Sequence, residues 1–174
     1  MPRTTFQGPV RSLSGLYQQG PSAVVPVSTA TLTLDPALHA GRYLSITAAT
    51  ATITLPAVNV TANGQSSGPG QDPSNTNNQG VVYNFVLPST ATAVKIVTGT
   101  GDYLLGSVDI AAAGGATSTY VANGTTIRSV NLNGTTTGGI AGSVVSVVAI
   151  AANTYLVQGQ IIGSGTLATP FATS

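Results

Sequence analysis

The chain has no cysteine, no tryptophan and no glutamate, and its 174 residues carry only four Asp, five Lys or Arg and one His. Each shortage excludes something. Without cysteine there are no disulfides, thiolate metal sites or cysteine nucleophiles, so the fold must cohere by packing alone. Without glutamate, helix faces solvated by Glu and Lys pairs cannot be written, and long helices are not expected. A net charge of +1 with 5% aromatics leaves no basic patch or stacking platform for nucleic acid. The longest mostly apolar run, Ile140 to Ala152, is too short for a membrane span and is broken by Gly and Ser. The opening Met-Pro-Arg-Thr-Thr-Phe-Gln-Gly-Pro has no apolar stretch of the kind a secretory leader needs.

What fills the chain is uncharged. Charged residues make up 5% against roughly a quarter in ordinary soluble domains, while 42% are hydrophobic and 21 are Gly. Thr, Ser, Asn and Gln must therefore supply the wet surface. The length suits one folded domain.

Residues 1–22 are punctuated by Pro2, Gly8-Pro9 and Gly20-Pro21 and read as an extended arm. Val10, Leu13, Leu16 and Tyr17 could also share one face of a short amphipathic helix. From residue 23 to 174 the pattern is that of a single β-domain, with short runs of Val, Ile, Thr and Tyr between Gly, Pro and Asn. Strands are expected at 23–27, 31–34, 43–48, 51–55, 81–87, 93–97, 103–110, 117–121, 125–130, 142–150 and 154–161, enough for a sandwich or barrel. In Thr31 to Leu34 and Thr52 to Leu55 the Leu and Ile face one way and Thr the other. Asn123-Gly124 and Asn133-Gly134 read as type I′ hairpin turns. Residues 58–80, nearly all small and polar, read as a long exposed loop.

Chemistry is sparse. Asp35 and Asp72 precede Pro in turns, and Asp102 in Thr-Gly-Thr-Gly-Asp reads as a turn residue bonding nearby backbone; Asp109 falls within a strand. A calcium site from Asp102 and Asp109 lacks the loop pattern that would gather oxygens around one ion. His39 can form neither a His cluster nor a marked triad, and reads as part of a turn or single helical turn, exposed or bonded to backbone. The Gly-rich stretches lack P-loop context, and the Asn-x-Thr matches lack a secretory one. No catalytic, cofactor-binding or metal-binding residue is expected, and the chain is not read as an enzyme.

The C-terminal half carries Leu132-Asn133-Gly134-Thr135-Thr136-Thr137-Gly138-Gly139, then Tyr155-Leu156-Val157-Gln158-Gly159, then Gly163-Ser164-Gly165-Thr166-Leu167-Ala168-Thr169-Pro170-Phe171. This resembles the ending of tailed-bacteriophage head decoration, or capsid cement, proteins. Asp35 through Pro56 also resembles a segment of theirs, so the likeness covers most of residues 31–174. It implies a β-sandwich, often jelly-roll-like, on the outer capsid surface of a virion. The implied partners are the major capsid protein and the chain itself as a homo-oligomer, a trimer in preference to a dimer. With that role, Phe6, Leu13, Leu16 and Tyr17 of the arm are expected to anchor on the shell while Arg3 and Arg11 pair with its carboxylates. The alternative is a tail-fibre, baseplate or receptor- or glycan-binding β-module, with the 58–80 loop at its contact.

Overall fold

The computed structural model describes residues 23–60, 78–112 and 114–174. Among these, the β-branched and apolar runs form twelve strands: β1 (Val24–Val27), β2 (Thr31–Thr33), β3 (Tyr43–Ile46), β4 (Thr50–Thr54), β5 (Val82–Val86), β6 (Ala93–Val97), β7 (Tyr103–Ala112), β8 (Thr117–Asn123), β9 (Ser129–Leu132), β10 (Val144–Ala151), β11 (Thr154–Gly163) and β12 (Phe171–Ala172). One helical turn, α1 (Pro36–His39), lies between β2 and β3. The expected all-β sandwich is formed.

Seven strands make one sheet in the order β1-β3-β5-β10-β11-β7-β8, and five make the other in the order β12-β9-β6-β4-β2. From β1 to β6 the chain changes sheet at every step. Two changes return it to the first sheet running the same way, so β1, β3 and β5 pair in parallel, as do β2, β4 and β6. β7 and β11 are also parallel. A jelly roll is built of antiparallel Greek keys; here antiparallel neighbours are confined to β5–β10, β10–β11, β7–β8, β6–β9 and β9–β12.

The inward faces interlock with no charged side chain between them. Leu44, Tyr83, Phe85, Leu104, Val147, Tyr155 and Val157 from the larger sheet meet Ile53, Ile96, Val130 and Leu132 from the smaller, all at 1% exposure or less. At roughly 1.5–3 kcal/mol for each fully buried large aliphatic or aromatic side chain, this layer supplies the main folding force.

The Asn-Gly pairs do something other than expected. β8 pairs with β7, and β9 pairs with β6 and β12 in the opposite sheet. Asn123-Gly124 is therefore a corner between sheets, and the strand expected at 125–130 begins only at Ser129. Asn123 Oδ1 accepts from the N–H groups of Thr125, Thr126 and Ile127 at 3.0, 3.0 and 3.3 Å. Asn133 Oδ1 accepts from Thr135 and Thr137 N–H at 2.9 and 3.1 Å in the same manner. A side chain that satisfies several successive N–H groups holds a corner without a facing strand.

Gly106, in the middle of β7, has φ of 130°, and a Cβ there would collide with the carbonyl oxygen of Val157 on the neighbouring β11. Gly41 has φ of 67° but open space around it. Gly106→Ala therefore combines backbone strain with overpacking and is expected to cost about 3 kcal/mol or more. Gly41→Ala is expected to cost about 1 kcal/mol. Denaturant melts of the two variants check the difference.

Candidate functional site

The strand registers place the outward side chains of the seven-stranded sheet in rows. One that crosses the whole sheet reads Val121, Ser107, Gln158, Ser146, Asn84, Tyr43, Val24 from β8 to β1. Its middle is polar and knitted, with Ser146 Oγ donating to Asn84 Oδ1 at 2.8 Å. Its ends are apolar and open, with Val121 71%, Tyr43 55% and Val24 49% exposed. On one side runs an apolar row, Leu105, Leu156, Val148, Val82. On the other run Thr119, Asp109, Gln160, Val144, Val86, Ser45 and Pro26. Asp109 is the one charge among these rows, and the Thr119 hydroxyl donates to its carboxylate. The face is broad, nearly uncharged and studded with exposed apolar side chains, and a shallow groove over Ser107, Asp109, Ser146, Gln158 and Gln160 marks its centre.

One pole of the sandwich holds both stems of the long polar loop. Asp102, 2% exposed, accepts from Val58 N–H at 2.9 Å. Asn78, 3% exposed, accepts from Asn59 N–H at 2.8 Å and donates to the Ala57 carbonyl at 2.8 Å. Gly80 N–H donates to the Ala149 carbonyl at 2.7 Å. The described stems of the 58–80 loop are thus tied to the scaffold, while residues 61–77 lie outside the described residues. Asp102 is a turn residue as expected, with the Thr98 hydroxyl donating to its carbonyl, but its carboxylate reaches backbone 44 residues away in sequence. Local turn grammar could not have located that partner.

Burial controls the protonation of this pole. Loss of water raises the Asp102 carboxyl above its ordinary value, against the Val58 N–H and the Arg128 guanidinium, which both favour the charged form. Burial, with a smaller contribution from Asp35, pushes the Tyr83 phenol up to about 12. Burial also raises Tyr155, aided by Tyr83 and Asp102, and the Tyr155 hydroxyl donates to the Pro56 carbonyl at 2.8 Å. Arg128 Nη2 donates to the Gly99 carbonyl at 2.8 Å.

The remaining ionisable groups do not converge. His39 ends α1, 8% exposed, and its Nδ1 accepts from Asp35 N–H at 2.8 Å, the backbone-bonded role the sequence suggests. Asp102 lies inside one pole and Asp109 seven residues on along β7, about 23 Å away at 3.3 Å per residue, so they cannot share an ion. Among the described residues no three His, Cys, Asp or Glu side chains gather in a metal-binding group, and no helix is long and apolar enough to cross a membrane. Arg3, Phe6, Arg11, Leu13, Leu16 and Tyr17, expected in an arm, lie outside the described residues, which begin at residue 23 beside β1, an edge strand of the larger sheet. Comparison with family models, curated proteins and solved structures returns no match.

A carboxyl raised in the folded state binds its proton more tightly there than in the unfolded chain, so its ionisation costs stability as pH rises through the folded value. Asp102→Asn, which keeps the acceptor for Val58, is expected to melt at or above the parent at pH 7. That advantage shrinks as pH falls toward the unfolded carboxylate value of about 4. Asp102→Ala orphans the Val58 N–H and is expected to lose about 1–3 kcal/mol at both extremes. Thermal melts across pH check all three. Tyr83 follows the same rule at the alkaline end: the fold loses stability as pH rises from about 10, the unfolded phenol value, through about 12. Absorbance of ionised phenol should show it titrating late or together with unfolding.

Proposed function

We propose that the chain is a non-enzymatic structural protein of a bacteriophage virion. It binds the outer surface of the capsid and stabilises contacts between capsomers of the major capsid protein. The observation that carries this reading is the outer face of the seven-stranded sheet, with Asp109 as its one charge and Leu105, Tyr43 and Val144 exposed by 40%, 55% and 37%. Such a face loses little on desolvation and gains by burial against a partner. The likeness to decoration proteins adds to it, because the segments that carry that likeness pack together. Ser164 and Ala168 donate to the carbonyls of Thr135 and Thr136 at 3.0 and 2.9 Å, and Ile140 donates to that of Ile162 at 3.0 Å. Many copies on a shell would turn modest contacts into firm attachment.

A second reading, a receptor- or glycan-binding module of a tail fibre or baseplate, is favoured by the groove lined by Gln158, Gln160, Asp109 and Ser146. Planar amides and a carboxylate on a flat sheet suit sugar hydroxyls.

Co-sedimentation with undecorated capsids separates the two readings. Saturable, stoichiometric binding that is lost on removal of residues 1–22 supports the cement role with the arm as anchor. Leu105→Asp and Val144→Asp, both on the outer face, are expected to weaken binding about tenfold or more each while leaving the melting temperature nearly unchanged. Absence of binding by the full chain, with retention on a glycan array, moves the second reading to first place.

A further inference from the structure

A two-sheet sandwich has four edge strands, and natural proteins blunt such edges with short strands, proline, charge or bulges. Three of the four edges here are blunted. β1 has four residues and contains Pro26, β2 has three residues, and β12 has two and follows Pro170. The fourth, β8, is seven residues long, with the sequence Thr-Ser-Thr-Tyr-Val-Ala-Asn. It has no proline, no glycine and no charge, and its register with β7 is unbroken.

The polarity of its free side follows from the ladder. Ala112 N–H donates to the Ala116 carbonyl at 2.7 Å and Gly124 N–H to the Leu104 carbonyl at 2.8 Å. Hydrogen-bonded pairs in an antiparallel ladder recur every second residue, so Ser118, Tyr120 and Ala122 face β7. Thr117, Thr119, Val121 and Asn123 turn their N–H and C=O groups outward, where no strand pairs with them. All four are exposed, and Val121 is 71% exposed.

We propose that β8 is a self-pairing edge, by which two copies of the chain join antiparallel about a two-fold axis through Tyr120 and make one continuous sheet. Centred there, Thr117 faces Asn123 of the second copy and Thr119 faces its Val121, so each outward N–H and C=O meets a partner. β-Branched Thr and Val face one another across the joint, a favourable cross-strand pair. On the inward side the half-buried Tyr120 meets its own symmetry mate as an aromatic pair. The edge brings no charge to the axis. Asp109 lies one strand in, bound by Thr119, and its counterpart would be about 16 Å away, three strand spacings across and two residues along, beyond the physiological Debye length of about 8 Å. Among the described residues no other edge offers a comparable row, so pairing closes at two copies. The proposal does not depend on the capsid reading.

The test is light-scattering mass of the full chain across a wide concentration range, with Val121→Pro and Val121→Lys beside it. Proline is tolerated on an edge strand whose N–H faces outward, so Val121→Pro should keep its far-UV circular dichroism while losing pairing. Val121→Lys keeps the backbone and sets two ammonium groups near the axis. The parent is expected at twice the 17.2 kDa chain mass, and each variant at half the parent's mass. The Thr119 amide should exchange about tenfold or more slower in the parent than in Val121→Lys, a readout that stands even if Val121→Pro fails to fold. A parent that stays monomeric, an oligomer that survives both folded variants, or a fast-exchanging Thr119 amide in an assembled parent would overturn it.

Discussion

The parallel pairing of β7 with β11, ten residues in unbroken register, is the joint on which the rest of the structure depends. On one side of it lie β10 and β5, which lead to the coil of parallel strands from β1 to β6; on the other hangs β8. Without cysteine, and with charge on only 5% of residues, neither cross-links nor ion-pair networks can replace that ladder. Gly106 sits within it where any Cβ would strike the Val157 carbonyl, so the joint tolerates no side chain at that position. The same joint sets the outer face, because it brings Leu105 beside Leu156 and Ser107 beside Gln158.

Much of this was legible as strands and little of it as partners. Alternation in Thr31 to Leu34 and Thr52 to Leu55 correctly told which side chains are wet, since the period of two is a local property. It carries no information about the direction of the neighbour, so the parallel coil was invisible. An Asn-Gly pair between two strand-like runs reads as a hairpin because that is where such pairs fit best. Here the Asn side chain does the turning, and the next strand belongs to the other sheet. Phe171–Ala172 is too short to show a period at all. The outer face emerges only when registers stack outward residues from distant strands. The buried anchoring of Asp102 and Asn78 depends likewise on contacts far apart in sequence.

A scaffold of this kind puts its specificity into shape and backbone. The outer face, the stems tied down at the loop pole and the open edge of β8 are three surfaces whose recognition would rest on burial and hydrogen bonds, with little long-range attraction. An assembly built from them would be nearly insensitive to salt, because few charges are available to be screened. Two-fold pairing at β8 makes a dimer, where the likeness to decoration proteins implies a trimer. It would double the outer face presented to a shell, and avidity would follow from geometry.

The most direct test of the account is a cryo-electron microscopy reconstruction of capsids incubated with the full chain. The account predicts added density at capsomer boundaries into which the sandwich fits with the outer face of its seven-stranded sheet toward the shell. Capsids that remain bare at saturating protein, or bound protein with that sheet turned to solvent, would contradict it.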